Sequence, residues 1–403
     1  MTGAERLLER LREGDVGLRE LESHADHDTA ATARRRYLET ETGADLDTVG
    51  RYGFDAADAD PNIENMVGTV GIPMGVAGPL PVEGASAGGE YHLPLATTEG
   101  ALVAGVNRGC SAIEAAGSAT ARVIESGMTR APVFSVGDVA EAATVVEWVG
   151  DSEDRLAERA ESTTSHGELT AVDPYVVGDS VYLRFVYDTK DAMGMNMATI
   201  ATREAADLVE AETSASLVSL SGNLCSDKKP AAINAIEGRG RSVTADVEIP
   251  ADVLAERFGA TPEGIAEVNT RKNLVGSAKA GSLGFNAHAA NVVGAVFLAT
   301  GQDEAQIVEG ANAITTVERR GDVLYASVTL ASLEVGTVGG GTRLPAQSEA
   351  LSILGVGGGG EPPGSNADEL AEIIAAGVLA GELNLLAALA GRHLASAHED
   401  LGR

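Results

Sequence analysis

Asp227-Lys228-Lys229-Pro230 concentrates a cation that the rest of this sequence avoids. The lysines are Lys190, Lys228, Lys229, Lys272 and Lys279, within 29 Lys and Arg altogether. Lysine is a compact charge with three donors and suits an oxyanion or phosphate, whereas arginine is a planar fork. Adjacent lysines behind an aspartate can hold an oxygen that gains negative charge; they can equally form a solvated turn closed by Pro230. Glu99, in Ala96-Thr97-Thr98-Glu99-Gly100, reads locally as a capping acid in the first turn of a helix, where the dipole favours a carboxylate. Met193-Gly194-Met195, within Asp191–Asn196, offers close backbone approach beside an apolar surface, or simple core packing. Gly336–Thr342 can cradle phosphate with backbone N–H groups, or be a turn. His398 reads locally as a solvated histidine on a frayed tail.

Other chemistries lack their signatures. No G-x-G-x-x-G stands at a plausible strand–helix junction, and Walker, HExxH and serine-elbow motifs are missing. Cys110 and Cys225 provide neither a disulfide framework nor a zinc spacing, so no metal is expected.

These residues need elements to hold them. Residues 1–60 have helical leucine spacing, with Asp28 a candidate cap for a second helix. The Gly- and Pro-rich stretch Asn62–Leu80 reads as loop, and Thr98 as the cap of a helix running to about Ser126. Residues 131–220 read β-α-β-β-α-β, a ferredoxin-like unit with a hairpin turn at Gly178-Asp179. The expected fold is therefore α+β: a large mixed helix/sheet domain (61–130 and 221–395), an inserted ferredoxin-like small domain (131–220), a helical N-terminal region (1–60) and a tail (396–403).

The 403 residues are 44% apolar, which suits a globular chain with one large domain and smaller ones. No apolar run is long enough for a bilayer, since Glu382 and Asn384 interrupt the most apolar helix, and no signal core opens the chain. A soluble cytoplasmic protein is expected. The net charge of −31 argues against nucleic-acid or anionic-membrane partners and indicates adaptation to high salt, which screens self-repulsion. Activity and melting temperature should thus rise from dilute buffer to about 1 M KCl, where the Debye length is about 3 Å. A melting temperature that stays flat across that range would sink the reading.

Taken in order, the Glu99, Asp191–Asn196, Asp227–Asn234, Gly301-Gln302-Asp303 and Gly336–Thr342 stretches closely resemble 3-hydroxy-3-methylglutaryl-coenzyme A reductases, most nearly the class I form. The resemblance spans about Glu64 to His398; residues 1–60 match weakly, and no membrane anchor is expected. It implies reduction of 3-hydroxy-3-methylglutaryl-CoA to mevalonate and CoA with two NADPH. It implies Lys228 as the oxyanion's cation, Glu99 as general acid, Asp303 coupled to both, and His398 as the acid that protonates departing CoA. Arg130, Lys229 and Lys272 would hold the terminal carboxylate, and Asn107 and Arg108 would face coenzyme A. Ser221, Asn223, Asp227, His288 and Asn291 match further substrate positions. Asp191, Met193, Gly194, Met195, Asn196, Gly339 and Gly340 would meet the nucleotide on the small domain. Ser165 stands where the family usually has an arginine for the 2′-phosphate. A homo-oligomer with its active site between subunits is also implied. The competing classes are another acyl-CoA or aldehyde oxidoreductase and a non-catalytic acidic binding protein of the same fold.

Overall fold

The computed structural model describes residues 2–401, with side chains described to residue 391; the side chain of His398 lies outside the described residues. Among the described residues the strands are β1 Met74–Glu83, β2 Gly88–Ala96, β3 Ala119–Arg130, β4 Val133–Ser135, β5 Glu168–Val177, β6 Ser180–Asp188, β7 Ser216–Ser219, β8 Gly240–Pro250, β9 Ala313–Arg320 and β10 Val323–Leu333. The larger sheet runs β2-β1-β3-β8-β10-β9 and is antiparallel except where Val82 and Glu83 of β1 lie parallel to Ala119 and Thr120 of β3. The smaller sheet runs β7-β4-β6-β5, antiparallel throughout. Strand β3 belongs to both: Thr120–Gly127 pair with β8, and Met128–Arg130 pair with β6.

The mixed α+β architecture agrees with the sequence. In the smaller unit, β4 leads to helices Val139–Asp151 and Glu153–Glu161, then β5, β6, helix Met195–Glu212 and β7. Asp138 caps the first helix by accepting from Ala140 and Glu141 N–H, and Gly178, at φ 63, makes the β5–β6 turn. The sheet face and these helices enclose a core of their own, with Phe134, Leu183, Phe185, Ala201 and Ala205 buried.

The larger core surrounds helix Ser365–Leu401, whose residues from Leu370 to Ala387 are almost all buried. This helix is long and apolar enough to cross a membrane, contrary to the sequence reading, but 78% of its most apolar stretch is buried inside the fold. With few aromatics, the core closes by backbone approach between small residues. A Cβ on Gly109 would stand 2.0 Å from the Ala380 carbonyl oxygen, and one on Gly377 would stand 2.4 Å from Leu93. Buried Glu372 caps the β1–β2 turn from this helix, accepting from Ala85, Ser86 and Ala87 N–H at 3.1, 2.9 and 2.7 Å.

Four local expectations are corrected. The helix expected to run from Thr98 to Ser126 spans only Leu102–Ala116. Ala101, at φ 72, precedes it without a side-chain cap, and Gly117, at φ 118, ends it before β3. Small residues favour the helix locally, but Thr120, Val123 and Ile124 are better accommodated in the sheet. The stretch Asn62–Leu80 is not all loop: β1 starts at Met74, and its Gly78-Pro79 pair falls at a register shift against β2. Asp26, not Asp28, caps helix His27–Thr42, accepting from Thr29 N–H at 2.8 Å; Asp28 accepts from the Tyr52 hydroxyl instead. The expected tail at 396–403 is helical as far as Leu401.

Candidate active site

A cleft of about 700 Å³ opens between the two units. It is lined by Ala192–Met197, Lys228, Gly301–Glu304 and Gly336 with Val338–Thr342, so separate sequence motifs converge on one space. Glycine lets them converge. A Cβ on Gly336 would stand 2.4 Å from Met193 N, and Gly301 and Gly341 lie backbone to backbone. Buried Gln302 locks the glycine loop, accepting from Gly336 N–H at 2.9 Å and donating to the Gly336 carbonyl at 3.0 Å.

The Lys228 ammonium lies 3.1 Å from Asp303 Oδ2, with both side chains partly exposed. Asp303 starts a short 3₁₀ turn and accepts from Ala305 N–H at 3.1 Å, which steadies its carboxylate. The loop carrying Lys228 is strained: Asn223, Ser226 and Lys228 take φ of 62, 47 and 61. Such conformations persist where the surroundings over-determine them.

Those surroundings centre on buried Arg239. Its NH1 donates to Gln306 Oε1, Glu309 Oε1 and Glu334 Oε1 at 3.1, 3.0 and 2.9 Å, and its NH2 donates to Asp227 Oδ1 at 3.1 Å. Gln306 Nε2 also donates to Asp227 Oδ1, at 2.9 Å, and Glu309 Oε1 accepts Lys228 N–H at 2.8 Å. One guanidinium thus faces three carboxyl groups, Glu309 and Glu334 fully buried and Asp227 partly exposed. Burial pushes Glu309 up to about 7 and Glu334 well above the ordinary range, both against the pull of Arg239. Burial also raises Asp227, but the Gln306 hydrogen bond with Arg239, Lys228 and Arg130 outweighs it and holds this acid below the usual range.

Arg130, at the end of β3, brings NH1 to 3.8 Å from Asp227 Oδ2, while Lys229 folds back to donate to the Asp227 carbonyl at 2.9 Å. Ser221 Oγ lies 3.7 Å from Cys225 Sγ in the same loop. A second group forms elsewhere. Asn291 Nδ2 donates to Glu99 Oε1 at 3.1 Å and reaches His288 Nδ1 at 3.5 Å. The opposite His288 nitrogen, Nε2, lies 2.8 Å from the Gly381 carbonyl and donates to it, which turns Nδ1 toward Asn291. Buried Glu382 accepts Ala287 and His288 N–H at 2.7 Å each and thereby fixes this loop. Lys272 Nζ stands 3.5 Å from the Ala287 carbonyl. On helix Leu102–Ala116, Asn107 accepts Gly78 N–H at 3.0 Å and Arg108 donates to Asn384 at 3.0 Å. Among the described residues, no hydrogen bond or ion pair joins Glu99 to Lys228 or Asp303.

A model of the family described as hydroxymethylglutaryl-coenzyme A reductase matches residues 30–403. The 3-hydroxy-3-methylglutaryl-coenzyme A reductase of Haloferax volcanii is 70% identical over 403 residues, 100% of both chains. The chain belongs to the hydroxymethylglutaryl-coenzyme A reductase family. Reductases of Halobacterium salinarum and Methanothermobacter thermautotrophicus are 70% and 54% identical, each over 98% of this chain and 98% and 99% of theirs. The fold matches the class II reductase of Streptococcus pneumoniae solved with NADPH, with a TM-score of 0.67, 22% identity, and 96% of this chain and 97% of that one covered.

Against the reductase expectation, Met193, Gly194, Met195, Asn196, Gly339 and Gly340 line the cleft with Lys228 and Asp303, whereas Asp191 stands behind it. Asp191 is buried and its carboxylate accepts N–H from Gly360, Gly364, Asn366 and Ala367 at 2.9, 2.8, 3.1 and 3.2 Å. It anchors the start of the long helix, and its carbonyl accepts Thr337 N–H at 2.8 Å. Sequence reasoning missed Arg239, Gln306, Glu309, Glu334 and Glu382 as supports. An arginine among glycines in Gly238-Arg239-Gly240 was the available signal, since a bare backbone on both sides permits deep burial.

Proposed function

We propose that this chain reduces 3-hydroxy-3-methylglutaryl-CoA to mevalonate and free CoA, consuming two NADPH and two protons. The observation that carries this is the Lys228–Asp303 pair at 3.1 Å on the wall of a glycine-lined cleft. The likeness to named reductases along the whole chain supports it.

The cleft suits a dinucleotide. Gly339 and Gly340 have positive φ, and a Cβ on either would meet nothing within 4 Å, so their backbone is bare to the cleft. Helix Met195–Glu212 points its N-terminus there with no side-chain cap, leaving N–H groups for an anion such as pyrophosphate. The bound nicotinamide supplies hydride. Lys228 then stabilises the oxygen that gains charge in each reduction, and Asp303 orients the ammonium. Glu99 donates the proton to that oxygen. Arg130, Lys229 and Lys272 balance the substrate carboxylate. Residues 131–220 form the nucleotide unit, inserted in a catalytic domain of 61–130 and 221–395. We assign the chain to the class I, salt-adapted form, supported by its acidic balance and its Haloferax and Halobacterium relatives.

Because, among the described residues, Glu99, Asn291 and His288 do not line the cleft and no hydrogen bond or ion pair joins them to Lys228 or Asp303, we infer that a second copy of the chain completes the site in a homo-oligomer. The deciding assay follows NADPH absorbance with 3-hydroxy-3-methylglutaryl-CoA against acetyl-CoA, and then repeats the first with NADH. Oxidation with the branched thioester alone and a higher kcat/KM for NADPH are expected. Equal use of acetyl-CoA would transfer the chain to the wider class of acyl-CoA reductases, and binding without oxidation would make it a binding protein.

His398 provides a test of step order. CoA leaves the first reduction as a thiolate whose parent thiol has a pKa of about 8.5, by analogy with cysteine. Histidine can protonate it near neutrality and stop its return. Reduction of added mevaldehyde releases no thiolate. His398→Gln should therefore slow the thioester reaction strongly and largely spare mevaldehyde reduction; equal impairment of both would assign the histidine another role.

A further inference from the structure

Glu309 lies beneath the cleft with 1% exposure, and the mechanism above gives it no step. Its Oε1 accepts two donors at once, Lys228 N–H at 2.8 Å and Arg239 NH1 at 3.0 Å. The same guanidinium holds Asp227, the residue before the lysine, at 3.1 Å, and Gln306 braces both partners. Lys228 sits at φ 61, in a region that a residue with a side chain seldom occupies. Its N–H direction, and with it the exit direction of its side chain toward Asp303, is therefore set from below.

We propose that Glu309 is a positioning residue for Lys228, pinning the lysine's backbone N–H to the Arg239 guanidinium so that the ammonium is aimed at Asp303 and the reacting oxygen. This rests on the reductase reading above. Glu309 touches neither substrate nor nucleotide in that reading; it acts through the backbone of a residue that does. An error of about 1 Å in such a group can lower turnover by about 10²-fold.

A double-mutant cycle tests the proposal. In Glu309→Gln the amide oxygen keeps both lone pairs but never carries the charge that Glu309, pushed up to about 7, holds against Arg239 above neutrality, so its grip on both donors weakens in assays at pH 8. The expected result is a kcat lowered by about 10- to 10²-fold, with KM for the thioester little changed. In the Lys228→Ala background the same substitution should cause no further loss, because the group it positions is gone. Independent, additive losses would overturn the proposal, as would wild-type turnover in a folded Glu309→Gln protein. If Glu309→Gln does not fold, Glu309→Asp, which withdraws the oxygen by one methylene, goes through the same cycle. A second readout needs no turnover: labelling by pyridoxal phosphate and borohydride, mapped by peptide mass. The Lys228 rate should change in Glu309→Gln while that of exposed Lys279 does not. An unchanged Lys228 rate would overturn the positioning role, and a wild-type chain inactive on the thioester would overturn the reductase reading alone.

Discussion

Lys228→Ala lowers turnover by about 10²- to 10³-fold in a protein that still folds, the loss expected when a fixed donor to a developing oxyanion is removed. The fold survives because the structural share of Lys228 lies in its backbone. The N–H bond to Glu309 and the φ of 61 are unchanged by truncation beyond Cβ, and the side chain is 46% exposed. Asp303 keeps its bond from Ala305 N–H and enough exposure to be solvated when its partner leaves. Both reductions should suffer, since each places charge on a carbonyl oxygen; this separates Lys228 from His398. Lys228→Arg should restore little, because a planar fork cannot take the place of a point charge at this position. Turnover near wild type in a folded Lys228→Ala enzyme would discard the mechanism.

Arg239→Met carries the largest expected loss of stability, about 3–5 kcal/mol, the effect of leaving buried charges without their partner. Arg239 is fully buried, and its removal strands Asp227, Glu309 and Glu334 around an apolar side chain. The loss should depend on pH, and its sign can be worked out. Glu309 already stands at about 7, above the ordinary value of 4.5, so the folded state holds a proton that the unfolded chain has released. Its stabilising contribution is complete below about 4.5 and is lost as pH rises through about 7. Without the arginine these carboxyl groups move further upward, so the variant's deficit should shrink as the medium is acidified. Thermal unfolding in molar KCl at several pH values measures both effects. A melting temperature equal to wild type at pH 8 would show that the network contributes nothing to the fold.

The candidate site was only partly legible in the sequence. Lys228 stood out as a scarce cation and the glycines of Gly336–Gly341 announced a loop, whereas Glu99, locally a capping acid, and Asp303 could be named only through the resemblance of their motifs to the reductases. Asp191 shows the limit. Its motif is legible, but the motif cannot say which way the carboxylate points, and the N–H groups it accepts come from residues 360–367. Glu382 shows it again: it read as a charge interrupting an apolar helix, whereas in the fold it fixes the His288 loop.

By itself the sequence determined the alternation of strands and helices in the smaller unit and the chemical groups available for reduction. Those depend on periodicity and composition, which are local properties. Tertiary structure decided where the helix after Glu99 gives way to β3, because sheet pairing with β8 outweighs helix propensity. It also decided that Gly109 meets Ala380 and that one arginine gathers acids at positions 227, 309 and 334. These are contacts between distant segments, and no local pattern encodes them. A buried charge becomes tolerable only once the folded chain brings its partners to it.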